Sequence, residues 1–336
     1  MDGPRNNRRI LIFLAIAVGV PWSAALALYL TVGETDLIMA ATWANLIFIS
    51  TPALANVATR LVTREGWRHL WLWPRFRRGW PYYLAAILLP FLASVVAGTV
   101  FYLLFPASFD SGLTKVRELS AAYSVAADAN PWVAFGIIIL LASIRWLLQN
   151  GLASIGEEFG WRAYLLPKLM ARFTGAEPAC GPALDPVPAR VYAAGARKAS
   201  LLIGVIWGVW HWPLFLMGLP LTPGFPLLFL LVYPVSTICM SVLLCWVTLR
   251  SGSVWPASIG HGFINGTSAI PALPLKGPAN LLIGPGPGGV IGMLGYLALA
   301  LILLFHRRAF VPAREVRAEG APVETGGPRA EPRPAP

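Results

Sequence analysis

Residues 132–166 read WVAFGIIILLASIRWLLQNGLASIGEEFGWRAYLL. The run is far longer than the roughly 20 apolar residues a helix needs to cross a bilayer, and its first charge is Arg145. It reads as a transmembrane helix that is tilted, extends past the bilayer, or breaks near Asn150-Gly151, because glycine weakens a helix interior. Pro167 lacks the N–H needed to continue the hydrogen-bond ladder and marks the expected end, with Lys168 and Arg172 at the boundary.

The rest of the chain has the same character. Of its 336 residues 57% are hydrophobic and only 12% charged, with a mean hydropathy of +0.64. A soluble domain carries about a quarter charged residues and has nowhere to bury this much apolar surface. Further apolar runs fall near 10–32, 37–59, 82–105, 200–218, 226–249, 254–272 and 287–305. The expected fold is therefore all-α, a polytopic integral membrane protein of about eight transmembrane helices. Trp22, Trp80, Tyr82, Tyr83, Trp132 and Trp255 lie at the ends of these runs, where amphipathic rings favour the headgroup region.

The formal net charge of +11 would suit nucleic acid in a polar chain. Here it reads as basic loops facing an anionic leaflet, with membrane lipids as partners and no nucleic acid. Of the 26 Lys and Arg, only Lys115, Arg117 and Lys276 fall in loops on one side, and Arg145 and Arg162 lie inside the fourth run. The others share the opposite side, so both termini are expected in the cytoplasm. Heavy use of Ala, Gly, Pro and Arg points to a bacterial cell membrane.

The segment from Arg5 to Val32 imitates a secretory signal, with a cleavage-like Ser23-Ala24-Ala25, but its apolar run is long enough to span and reads as an uncleaved first helix. The expected organisation is a cytoplasmic 1–9, a helical membrane domain over 10–310 with its motifs within 150–266, and a disordered cytoplasmic tail over 311–336. Residues 173–199 read as a cytoplasmic Pro/Gly/Ala-rich loop. Cys180, Cys239 and Cys245 have neither disulfide-framework nor zinc-ribbon spacing and read as packing residues.

Ionisable residues inside spans are costly and carry functional weight. The fourth run holds Gly156-Glu157-Glu158-Phe159-Gly160-Trp161-Arg162, the fifth Trp207-Gly208-Val209-Trp210-His211, and the seventh His261-Gly262-Phe263-Ile264-Asn265. At 1.5 Å per residue, Glu157, His211 and His261 lie roughly 14, 17 and 11 Å below the arginine-rich boundary, in one layer. Glu158 and Arg162 are four apart and suit an ion pair, while Glu157 projects about 100° away and is left free for chemistry. Asn150 shares the face of Glu157 as a candidate hydrogen-bond partner. His261 and Asn265, also four apart, aim two donors at one point.

A desolvated glutamate beside an imidazole is equipped for general-base attack by water. Two donors opposite suit the oxyanion of a tetrahedral intermediate. Together they describe peptide-bond hydrolysis in a polar cavity, expected to open toward the cytoplasm.

The order EExxxR, aromatic-xxxH and HxxxN on separate transmembrane helices resembles the CPBP (Abi) family of intramembrane proteases, which includes type II CAAX prenyl endopeptidases and bacteriocin-related members. The resemblance covers about residues 140–270. It implies Glu157 as catalytic base, His211 as its partner in water activation, and His261 with Asn265 as oxyanion stabilisers, with Glu158 and Arg162 supporting. The first position of the second motif, usually Phe, is Trp207, a change expected to affect packing more than chemistry. The expected substrate is a membrane-associated peptide or protein.

The family is often labelled metalloprotease, and a metal-free glutamate mechanism is also proposed for it. Either no cofactor is required or a divalent metal such as Zn sits at Glu157, His211 and His261; HExxH is absent. A non-catalytic immunity factor or scaffold of the same fold, and a transporter using the Glu/Arg cluster, are the competing readings. A rhomboid-like serine protease is weaker, since no GxSG surrounds a candidate nucleophile. Arg145 and Gln149 read as structural or substrate-end contacts, His69 and His306 as solvated, and Arg75, Arg77 and Arg78 as topology signals.

Overall fold

The computed structural model describes residues 3–32, 35–126, 128–178, 187–218 and 227–311. The chain folds as a helical bundle, and among these residues the only β-pairing is two isolated bridges. We number the helices α1 (Gly3–Thr31), α2 (Leu37–Val62), α3 (Phe76–Leu104), the short α4 (Thr114–Ser120), α5 (Pro131–Thr174), α6 (Ala189–Gly218), α7 (Phe229–Ser251), α8 (Trp255–Thr267) and α9 (Leu294–Phe305).

The all-α, polytopic expectation is what the structure shows. Among the described residues six helices, α1, α2, α3, α5, α6 and α7, are long and apolar enough to cross a membrane. The expected seventh and eighth spans are the shorter α8, with 13 residues, and α9, with 12. Those lengths give about 20 and 18 Å of helix, less than the roughly 30 Å of a hydrocarbon core.

Of the three alternatives for the fourth run, the 44-residue helix over Pro131–Thr174 is the one that extends past a bilayer's thickness. The helix passes Asn150-Gly151 unbroken and turns at Ser154, which separates Pro131–Ala153 from Ile155–Gly160. Nor does it end at Pro167. A π-helical turn at Trp161–Leu165 precedes the proline, so Pro167 enters the first turn of the next helical segment, where a missing N–H costs little. The helix ends at Gly175, whose φ of 84° is the left-handed cap conformation glycine adopts without penalty. The segment 173–199 is correspondingly less of a loop than expected, with helix to Thr174 and again from Ala189; within it 179–186 lie outside the described residues. The tail beyond Val311 also lies outside them.

Helix packing follows from glycines spaced by four. A Cβ at Gly156 would sit 2.4 Å from the Ile49 carbonyl, and one at Gly160 2.5 Å from Pro52, so α5 lies backbone-to-backbone against α2. Gly204 and Gly208 do the same against Ile238 and Pro234 of α7, and Gly262 and Gly266 against Asn150 and Trp146 of α5. Small residues four apart let helix axes approach closely in a membrane, where packing rather than water exclusion drives association. Each of the three motif helices is clamped by one such pair.

Two ends of the bundle are distinct. At one lie the start of α1, Phe76, Thr174, Ser251 and Trp255, with most arginines; there Glu65 binds Lys168, Arg9 and the Tyr164 hydroxyl. At the other, Asp110 N–H donates to Pro274 O and Lys276 N–H to Ser108 O, tying the 105–113 loop to the chain after α8. The Asp110 carboxylate accepts the N–H groups of Thr114 and Gly112, which hold it below the usual carboxylate range.

Candidate functional site

The π-turn and the Ser154 bend aim the polar residues of α5 inward. Glu158 and Arg162 are fully buried, and Arg162 Nη1 donates to Glu158 Oε1 at 2.8 Å, the four-residue pair expected from spacing. The same oxygen takes a second bond, 2.9 Å from His261 Nδ1 on α8. An ionised carboxylate only accepts, so Nδ1 carries the proton and Nε2 is the ring's remaining nitrogen. It donates when the ring is protonated and accepts when it is neutral. His261 is therefore oriented by Glu158, in addition to sharing a face with Asn265.

Glu157 has a different environment. It keeps 5% exposure where Glu158 has none, and its Oε2 accepts the Trp207 indole N–H at 2.9 Å. The Trp207 ring also packs on Arg162, whose guanidinium carbon is 4.7 Å from the ring centroid, and meets His261 edge-on at 4.9 Å. Beside the packing expected of a tryptophan here, its indole donates a hydrogen bond to Glu157. Among the described residues no hydrogen bond joins Asn150 to Glu157, and the Asn150 backbone packs against Gly262.

His211 stands where the regular helix of Ala189–Trp210 stops. Its own N–H bonds Gly208 O, and its Nδ1 lies 2.7 Å from Trp207 O. A carbonyl only accepts, so Nδ1–H donates and Nε2 of the neutral ring is an acceptor. Tyr233 of α7 flanks the ring at 5.3 Å between centroids.

Trp207, His211, His261 and Asn265 line one cavity of about 420 Å³, and Glu157 sits one hydrogen bond behind its wall. The remaining wall is Phe229 and Tyr233 at the start of α7, Ser268 after α8, and the Gly/Pro-rich chain around 279–289. These belong to the cation-poor end of the bundle. The chain that folds back after α8 walls the cavity on the cation-poor side of the motif residues.

The proposed metal set does not assemble. Among the described residues no three His, Cys, Asp or Glu side chains group as ligands for a metal ion. His211 Nδ1, His261 Nδ1 and Glu157 Oε2 bond a carbonyl, a carboxylate and an indole, which leaves Nε2 of each histidine and Oε1 of Glu157 as the remaining polar atoms. We derive no step through a metal.

Fold and site together define a polytopic helical membrane protein whose glutamates, histidines and arginine meet beside a cavity. Residues 139–267, which contain all three motifs, match the family described as type II CAAX prenyl endopeptidase Rce1-like, and this supports the CPBP/CAAX protease-like family that the motifs resemble. No curated protein matches the chain.

Proposed function

We propose that the protein is an intramembrane endopeptidase that hydrolyses a peptide bond of a membrane-associated polypeptide. The carrying observation is the asymmetry of the adjacent glutamates. Glu158 spends its charge on Arg162 and His261, whereas Glu157 meets one neutral donor and keeps residual exposure. Glu157 is the base: it takes a proton from water held with the help of His211 Nε2, and the hydroxide adds to the scissile carbonyl carbon. The oxyanion accepts from His261 Nε2–H, the ring being protonated beside Glu158, and from the Asn265 amide. Collapse breaks the C–N bond, and Glu157 returns its proton to the leaving amine.

The cavity's position directs the substrate. The scissile bond is presented to the cavity between Trp207, His211, His261 and Asn265 and the 279–289 wall. The test is co-expression with membrane-tethered peptides and mass spectrometry of the products. Cleavage that disappears in Glu157→Gln while the melting temperature holds supports the reading. Products identical in wild type and variant overturn it and leave the cluster as a structural network in a non-catalytic protein.

A further inference from the structure

We infer that the exposed flank of α5 beside the cavity is a docking site for an apolar polypeptide segment that carries a carboxylate at mid-bilayer depth, with Arg145 and Gln149 as its partners. That the docked segment is the substrate rests on the peptidase reading; the docking itself does not.

Along the first half of α5, Ala134, Ile138 and Ala142 are buried. Trp146 and Asn150 continue this row four residues at a time and meet Gly266 and Gly262 of α8, so the two helices run antiparallel. One residue back lies a second row, Val133, Ile137, Leu141, Arg145 and Gln149, and every member of it is exposed. Both helices being right-handed, the residues just before the contact residues project to one common side of an antiparallel pair. Arg145 and Gln149 therefore stand on the side where Asn265 and His261 line the cavity. Asn265 is exposed there, which makes it the open side. A ridge of residues four apart is the surface that packs into the groove of another helix.

The charge on this ridge selects the partner. Arg145 follows Trp132 by thirteen residues and is level with Gly266, eleven residues past Trp255. It thus lies roughly 20 and 17 Å from the two aromatic ends of the bundle. That is too deep for its stem to carry the charge to either headgroup layer, and an unpaired guanidinium at this depth is costly. Arg162, the other cation of the same apolar run, is paired with Glu158. The contacts of Arg145 are Gln149 Oε1, which accepts from Nε at 3.2 Å, and the face of Trp146 at 5.6 Å; among the described residues no carboxylate pairs with it. With Oε1 taken, Gln149 offers its NH2 group and Arg145 its two outer nitrogens, so the pair presents donors only. Donors in hydrocarbon call for a charged acceptor, and the guanidinium fork matches a carboxylate. Lipid phosphates stay in the headgroup layer, whereas an Asp or Glu within a membrane-embedded polypeptide reaches this level.

The test uses the full chain bearing Glu157→Gln in dioleoylphosphatidylcholine vesicles, so that binding is read without turnover and apart from the peptidase reading, which the co-expression experiment tests. The probes are labelled transmembrane peptides of about 23 Leu and Ala residues, with Lys at both ends and a single Glu or a single Gln at the centre. Energy transfer should show the Glu peptide held at least about tenfold more tightly than the Gln peptide. Adding Arg145→Gln should bring the two level while the melting temperature in detergent holds, and Arg145→Lys should keep a preference. Arg77→Gln, at the arginine-rich end, should change nothing. Equal binding of the two peptides, or a preference that survives Arg145→Gln, overturns the site. So does self-association of the chain that vanishes in Arg145→Gln, which would assign the ridge to a second copy.

Discussion

The indole N–H of Trp207 donates to Oε2 of Glu157 across 2.9 Å, and the same ring lies under the guanidinium of Arg162 at 4.7 Å. One side chain therefore touches the proposed base and the ion pair that supports its neighbour. A phenylalanine could make only the second contact.

Trp207→Phe isolates the first. The ring face against Arg162 and His261 survives, and the donor to Glu157 is lost. A hydrogen bond to a charged group is worth about 1.5–3 kcal/mol, so cleavage should fall roughly 10- to 100-fold, mainly in kcat, with little change in melting temperature. A variant as active as wild type would assign the indole to packing alone.

The two glutamates should fail differently. Glu157→Gln removes the proton acceptor at constant size, and turnover should drop by about 10²–10⁴ with normal insertion. Glu158→Gln leaves Arg162 buried without its counter-charge and releases His261, at a cost of about 3–5 kcal/mol, so folded yield should suffer first. Yield, melting temperature and peptide cleavage measured on both variants separate the cases; interchanged outcomes would interchange the roles.

His261→Ala and Asn265→Ala should each lower turnover about 10²–10³-fold if both donate to the oxyanion. Asn265 is exposed to the cavity and has no part in the Glu158 pair, so its variant should melt like wild type. A loss of Asn265→Ala activity confined to KM would point to substrate positioning instead.

Gly160→Ala should destabilise without touching a polar group. Its Cβ would stand 2.5 Å from the Pro52 backbone, which forces α5 away from α2. Overpacking of this kind costs about 1–3 kcal/mol, read as a lower melting temperature in detergent. An unchanged melting temperature would mean the two helices are not clamped there.

Membrane orientation is open to direct measurement. Single cysteines near Arg77 and Gly175 should react only from the cytoplasm, and those near Ser111 and Lys276 only from outside intact cells. The reverse pattern would place the cavity's 279–289 wall at the inner face.

Much of the site was legible because intramembrane charge is costly. Glu157, Glu158, Arg162, His211, His261 and Asn265 stood out as polar residues in apolar runs, and spacing alone gave the Glu158–Arg162 pair. The contacts between helices were not legible. Nothing local to α8 says that His261 Nδ1 reaches Glu158, and the indole of Trp207 becomes a functional donor only once another helix brings an acceptor. A buried indole seldom lacks a partner, which was the available signal. The Gly156/Gly160, Gly204/Gly208 and Gly262/Gly266 pairs were equally readable. The passage of the helix through Pro167 depended on a π-turn with no periodic signature, and the far wall of the cavity on how the chain after α8 folds back.

The first helix carries a consequence for assembly. Phe13 is wedged against the rings of Trp161 and Tyr164, and the π-turn at Ala15–Gly19 leaves the Ala17 carbonyl to accept the Trp210 indole, a partner 193 residues later in the chain. At 5–20 residues per second a ribosome needs roughly 10–40 s to deliver that partner. Loss of this helix at the Ser23-Ala24-Ala25 sequence would strip a buried wall from the bundle.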